Sequence, residues 1–240
     1  VADLVTGMYA TVGILAALRH AERTGEGQYV DMALLDTQVA MLANLGANYL
    51  VSGQKEGKIP GRSGNAHQNI VPYQVFEVAA AADGSKDHII LAVGNDGQYA
   101  KFCKVANRPD LCDDPRFIKN ADRVRHRAVL VPMLEEVLRT RTKSDWLQAL
   151  ENAKVPCGAI NNLAEVFNDP HIQSRNMVTT WQHPTSGHVE LVSSPMKLSA
   201  TPVRTDLPPP LLGEHTDAVL RELLALDDSA LTQLRLHQII

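Results

Sequence analysis

Residues 1–30 read VADLVTGMYATVGILAALRHAERTGEGQYV, and the fold is read outward from this stretch. Asp3 stands directly ahead of an apolar pattern in which Leu4, Met8, Val12, Leu15 and Leu18 recur at spacings of three and four, which predicts a helix over residues 4–20. Val5, Ile14, Ala16 and Ala17 widen the apolar stripe, so the helix is expected to be buried on most sides. Gly7 and Gly13 each cost about 1 kcal/mol of helix propensity relative to Ala, but let a second backbone or a ligand come close. Asp3 fits the N-cap position, where its carboxylate faces unpaired amides and the positive end of the helix dipole. Thr24, Gly25 and Gly27 end the helix, and Tyr29–Met32 is expected as a short strand.

Beyond it, residues 33–51 (ALLDTQVAMLANLGANYLV) form a second helical run, apolar nearly all round. The Gly-rich polar stretch SGQKEGKIPGRSGNAHQN follows, and a connection of that length is usually a functional loop or an interdomain linker. Residues 70–76 and 88–93 read as two strands joined by an Ala-Asp-Gly-Ser turn. A helix starts after the Gly94-Asn95-Asp96-Gly97 junction, an amphipathic Arg-rich helix covers 121–138, and Thr142 or Ser144 caps another running to Asn152. A short strand around Cys157, a helix from Asn161 or Asn162 through Phe167 and a further one begun by DPHIQSRNM come next. Two short strands lie within 178–191, and a proline-rich PPPLLGEHTD leads to a last helix over Asp217–Leu226. The expectation is an α/β chain. It comprises a helical segment (1–52), a linker and glycine loop (53–69), a small α/β domain (70–192), and an extended C-terminal return ending in a helix (193–240).

Composition narrows the function classes. The chain has 240 residues and a net charge of −4 with nine His, so no basic face argues for nucleic acid. Arg19, His20 and Glu22 break the longest apolar run, and no run is expected to approach the roughly 18–20 residues of a membrane span. The start has no basic n-region of a signal peptide. Three cysteines, Cys103, Cys112 and Cys157, without CxxC spacing, read as reduced thiols of a cytoplasmic protein. The first residue is Val and a helix begins almost at once, so the chain is expected to be the back part of a longer polypeptide.

No generic catalytic motif is present: there is no G-x-G-x-x-G, P-loop, H-E-x-x-H or G-x-S-x-G. Gly61-Arg62-Ser63-Gly64 lacks the spacing of a phosphate loop. His67, His88, His171 and His183 have no metal-ligand spacing, so no metal site is expected, and the cysteines read as packing residues. Two acids keep two readings each. Asp3 is a cap or a nucleophile, since a helix N-terminus would hold and aim an ionised carboxylate. Asp96, between Gly94 and Gly97, is a turn acid or a site residue. The glycine-bearing loop is a linker or a cover over a ligand.

The segments ADLVTGM, ILAALRHAERTGEGQYVDMALLD, GRSGNAHQNIVPYQVF, LAVGNDGQYAKFC, DPRFIKNADRVRHR, VPCGAINNLAEVFNDPHIQSR, HPTSGHVELVSSPMKLSATP and PPPLLGEHTDAVL, in order along essentially the whole chain, resemble the class III CoA-transferase (CaiB/BaiF) family. That family includes formyl-CoA, carnitine and succinyl-CoA-dependent transferases and the α-methylacyl-CoA racemases. The resemblance implies CoA transfer between an acyl-CoA and a carboxylic acid acceptor, with coenzyme A as part of the substrate and no permanently bound cofactor. It implies Asp3 as nucleophile, through an aspartyl anhydride and an aspartyl-CoA thioester. It places Gly61, Arg62, Gly64, Asn65 and His67 in the loop over the active site, with Asn95 and Asp96 near the substrate. The family's run of consecutive glycines is missing from this loop. The Gly94-Asn95-Asp96-Gly97-Gln98 wording is closer to the transferases than to the racemases, and LAVGNDGQ with INNLAEVF leans towards dicarboxylate users. The resemblance further implies an interlocked homodimer and an N-terminal Rossmann-like half preceding residue 1.

Two other readings stand beside transfer. One is an α-methylacyl-CoA racemase. The other is a dimerising part without catalysis of its own that pairs with a separate N-terminal chain.

Overall fold

The computed structural model describes residues 1–240, and the chain divides into two units, residues 1–75 with 92–133 and residues 76–91 with 134–240. The first unit opens on α1, Ala2–Thr24, longer at both ends than its apolar spacing predicts. Gly25 closes it in the left-handed conformation, φ 79°, with its N–H on Ala21 O at 2.8 Å. A residue with a Cβ is strained there, which is why Gly punctuates the sequence at this point.

Three expectations for this front part are corrected. No residue of α1 is buried, and Leu4 (78%), Met8 (70%) and Leu15 (61%) are among its exposed side chains. An apolar stripe encodes a face to be covered; α1 touches the helix that follows, Leu34–Met41, yet the large side chains of its stripe stay exposed. The residues after Gly25 stay irregular up to Ala33 and form no strand at Tyr29–Met32, because no neighbouring strand offers them a ladder. By length and composition α1 also meets the minimum of a membrane span, with mean hydropathy 1.2 over its best 18-residue window. Apart from Asp3 in the first turn, the charged residues of α1 lie at Arg19, Glu22 and Arg23 and leave the stretch between apolar.

The second helical run breaks into α2 (Leu34–Met41), α3 (Ala43–Asn48), a π-helical turn (Tyr49–Gly53) and α4 (Gln54–Glu56). It therefore extends past the expected end at residue 51 and stops at Gly57, φ 67°. Gly53 has a specific reason to be Gly: a Cβ there would stand 2.6 Å from Lys58 O, the carbonyl at which the chain leaves the helix. Further on, this unit carries α5 (Asp96–Val105), the unanticipated short α6 (Pro109–Asp113), α7 (Asn120–Arg125) and the start of α8 (Arg127–Leu138). The expected single helix over 121–138 is thus interrupted at His126. Val71, Val93, Tyr99, Phe102, Cys103, Ala106, Leu111, Phe117 and Leu130 are this unit's buried apolar side chains.

A three-stranded sheet has the order β1 (Tyr73–Glu77), β2 (His88–Ala92), β3 (Cys157–Ala159). β2 alternates as a half-buried strand should, with Ile89 and Leu91 fully buried and their neighbours partly so. In the second unit β2 pairs antiparallel with β3, Ile90 opposite Gly158. A Cβ on Gly158 would lie 3.3 Å from the Ile90 side chain, so the close cross-strand approach favours Gly.

In the second unit the structure decides between the candidate caps: α9 (Lys143–Asn152) starts from Thr142 and not Ser144, and α10 (Leu163–Asn168) from Asn162 and not Asn161, with a full capping box to Glu165; α11 (Pro170–Ser174), begun by the DPHIQSRNM stretch, is capped by Asp169. β4 (Val178–His183) and β5 (Gly187–Val192) form a separate antiparallel hairpin. The final helix is two helices: α12 (Thr216–Leu224) ends at Ala225, and Asp227 caps α13 (Asp228–Leu236) by accepting from Ala230 N at 2.8 Å. Lys143 bridges Asp87 and Glu165, at 2.9 Å each, tying the starts of β2, α9 and α10. Trp146 is this unit's largest fully buried side chain, and its Nε1–H donates to Leu138 O at 2.8 Å. Trp146→Ala is expected to lower unfolding free energy by about 3–5 kcal/mol, read from urea denaturation monitored by circular dichroism. A loss under about 1 kcal/mol contradicts this account of the core.

Candidate functional site

Asp3 lies in the first turn of α1, and Val1 rather than Asp3 occupies the N-cap position, with no side-chain cap hydrogen bond. The expected cap is therefore corrected: the helix begins two residues earlier than its apolar pattern and carries the acid into the first turn. The carboxylate is exposed there, at the end of the helix where the dipole favours an anion.

The loop after Gly57 falls into two stretches of different character. Gly61, Arg62 and Gly64 are exposed, and the Ser63–Ala66 turn closes through Ala66 N to Ser63 O at 3.1 Å with Gly64 at φ 59°. From Asn65 onward the chain is fastened. Asn65 Oδ1 accepts from Val75 N at 3.1 Å, His67 N donates to Tyr73 O at 2.9 Å, and the His67 ring stacks on Tyr73 with centroids 5.2 Å apart.

The rest of the fastening comes from α7 and α8. Asn120 accepts from Val71 N (3.1 Å) and donates to Asn69 O (2.8 Å). Arg123, with no exposed surface, donates to Val71 O (2.7 Å), Phe117 O (2.8 Å) and Ile118 O (3.0 Å), and lies over the Tyr99 ring at 4.4 Å. Arg127 Nη2 donates to both His67 O (2.9 Å) and Gln68 O (2.7 Å).

Asp96 belongs to this network. As the first residue of α5 it accepts from Arg123 Nη2 and from Asn120 N, both at 2.9 Å, with Lys119 Nζ at 3.5 Å. Asn95 caps α5 by accepting from Gln98 N, and Gln98 Oε1 in turn accepts from Gly94 N at 2.7 Å. Burial pushes the Asp96 carboxyl upward, but the hydrogen bond and charge of Arg123, the Asn120 amide and Lys119 outweigh it and hold it below its ordinary value. An acid so held is ionised at neutral pH and has its oxygens engaged, which suits an anchor and not a proton shuttle.

The structure thus brings Asn65, His67 and Asp96 into one bonded cluster, while no hydrogen bond or ion pair joins Asp3, Gly61 or Arg62 to it. Sequence reasoning missed Asn120, Arg123 and Arg127. A signal was available, since residues 123, 127, 130, 134 and 138 fall at helical spacing, so two arginines occupy the stripe that Leu130, Leu134 and Leu138 continue. A charge on an apolar stripe is a group with an assigned buried partner. Among the cysteines, burial pushes the Cys103 thiol up to about 12, which leaves it protonated and inert at neutral pH.

Because the folded-state value of Asp96 is depressed, its contribution to stability is complete above the unfolded carboxyl value and is lost as pH falls through the folded one. The side chain is 38% exposed, so solvent screens the pair, and Asp96→Asn is expected to cost about 1 kcal/mol at pH 7. The gap from the parent protein should close in urea titrations below pH 4. A pH-independent gap contradicts the ion-pair account.

Against known proteins, residues 1–216 match the family model described as CoA-transferase family III. The chain is 43% identical over 230 residues to the succinate–glutarate CoA-transferase of Agrobacterium fabrum, covering 96% of this chain and 55% of that protein. It is 39% identical to the human succinyl-CoA:glutarate CoA-transferase, covering 97% and 51%. It is 36% identical to the succinyl-CoA:mesaconate CoA-transferase of Haloarcula hispanica, covering 92% and 53%. Among solved structures, a CaiB/BaiF family protein from Brucella suis superposes with a TM-score of 0.72 at 40% identity, over 92% of this chain and 55% of that one. The chain spans about half the length of the curated relatives it matches.

Proposed function

We propose that this chain, which belongs to CoA-transferase family III, carries the nucleophile of an enzyme that moves CoA between dicarboxylic acids of the succinate and glutarate type. The observation that supports this most is the likeness, along nearly the whole chain, to transferases named for those acids. Asp3 is the proposed nucleophile, an exposed carboxylate in the first turn of α1.

Its oxygen attacks the thioester carbonyl of the donor acyl-CoA, the C–S bond breaks, and a mixed anhydride forms with release of CoA thiolate. The thiolate attacks the aspartyl carbonyl of the anhydride, which frees the donor acid and leaves an aspartyl-CoA thioester. The acceptor carboxylate then attacks that thioester, giving a second anhydride and thiolate. The thiolate closes the cycle on the acceptor's acyl carbon, restoring the Asp3 carboxylate. Each step exchanges one activated acyl group for another of similar reactivity, so a single difficult exchange becomes several easier ones. Amides at the start of α1 or in the Gly61–His67 loop would stabilise the oxyanions.

The named relatives are all transferases, and Asp96 is engaged as an anchor, so racemisation is not the favoured reading. The exposed apolar face of α1 is read as a surface that further protein covers, as the homodimer implied by the resemblance would do. Sedimentation of the whole protein at monomer mass would exclude the homodimer.

The test of the nucleophile uses the whole protein with succinyl-CoA and hydroxylamine. Peptide mass spectrometry should place an aspartyl hydroxamate on Asp3, and Asp3→Ala should lower kcat by roughly 10³-fold or more. Continued exchange between succinyl-CoA and glutarate with Asp3 unmodified overturns the assignment. Deuterium entering the α-position of an acyl-CoA from heavy water, without transfer of CoA, would instead favour a racemase.

A further inference from the structure

The loop that carries Gly61 and Arg62 leaves the helix through Lys58 N, which donates to Gly53 O at 2.7 Å, and is tied far more heavily at its other end. Gly57, Gly61 and Gly64 each have open space where a Cβ would stand, with nothing within 4 Å. From His67 to Val71, by contrast, the backbone is gripped by side chains 49 to 60 positions away in sequence. Arg127 takes two consecutive carbonyls with one nitrogen, Asn120 takes one amide and one carbonyl, and Arg123 takes Val71 O.

These bonds all run to the backbone, so they fix where the segment lies whatever its side chains do. A charged donor to a carbonyl is a strong tie for its size. The ties differ in depth. Arg123 has no exposed surface and also supports Phe117 O, Ile118 O and Asp96, so it is part of the fold itself. Arg127 is only half-buried, and its hydrogen bonds go to the loop, at His67 O and Gln68 O. Its loss would free the loop without opening the core.

We infer that Arg127, assisted by Asn120, is a positioning residue for CoA transfer: it sets the base of the loop, and through it the placement of residues 61–67 over the reacting groups. The inference rests on the transferase reading given above. It separates two jobs between two successive helices, with Arg123 of α7 holding the fold and Arg127 at the start of α8 holding the loop. Misplacement of a loop by about 1 Å is enough to lower a rate on the order of a hundredfold, so the kinetic effect can exceed the structural one.

The test compares Arg127→Ala, Arg127→Lys and the parent in the whole protein, with succinyl-CoA and glutarate as probes. For Arg127→Ala, hydrogen exchange should accelerate in peptides over residues 65–71 and stay unchanged in α5 and α9. The melting temperature should shift by less than about 4 °C, while kcat/KM falls roughly tenfold to a hundredfold. Arg127→Lys keeps a cation able to reach both carbonyls and should recover most of the rate. A purely structural role would lower the melting temperature and speed exchange across the unit, with no rescue by Lys. Faster loop exchange with kcat/KM within twofold of the parent overturns the positioning role, as does unchanged exchange. A parent protein that transfers no CoA between any pair of dicarboxylic acids overturns the transferase reading, and the exchange data still decide whether Arg127 holds the loop.

Discussion

A guanidinium with no exposed surface, Arg123, is the interaction on which the loop-bearing unit depends. Burying that charge is costly unless every donor finds a partner. Here the side chain meets three carbonyls, the Asp96 carboxylate and the Tyr99 ring. The consequence is geometric as much as energetic. One side chain joins the segment before β1, the start of α5 and the turn before α7, which are distant in sequence. The set of partners leaves little freedom to any of them, and the loop then inherits its placement through Asn120 and Arg127.

The two acids that stand out in the sequence end up with opposite characters. Asp96 is committed: two strong donors and a nearby lysine hold it ionised and engaged. Asp3 is uncommitted, exposed in a first turn with no cap bond to make. A first turn is where the helix dipole favours an anion, and an exposed carboxylate without a partner keeps its lone pairs free.

The apolar face of α1 shows the difference between a pattern and its fulfilment. Leu4, Met8, Val12 and Leu15 recur with the period of a core helix, yet each is more than half exposed. Amphipathic spacing states that a face is to be covered; it does not name the cover. α1 is also apolar enough to meet the composition of a membrane span. The family model matched by residues 1–216 includes this segment.

By itself the sequence determined the elements whose causes are short-range. Thr142 and Asn162, each one of two candidates in the sequence, cap their helices, and Gly25 ends α1, because each acts on amides or dihedrals within a few residues of itself. The period-2 pattern of β2 likewise reports a face that local pleating alone sets out. The chain-wide resemblance carried the family, and with it the candidate role of Asp3. What only the tertiary structure decided is the partnership of groups with no fixed spacing: Arg123 with Val71 and Asp96, Arg127 with His67 and Gln68, Lys143 with Asp87 and Glu165. Separations of 22 to 60 residues carry no periodic signal. A buried charge announces that it has partners, but the fold alone selects them, since the bond depends on positions in space that many independent torsions fix together.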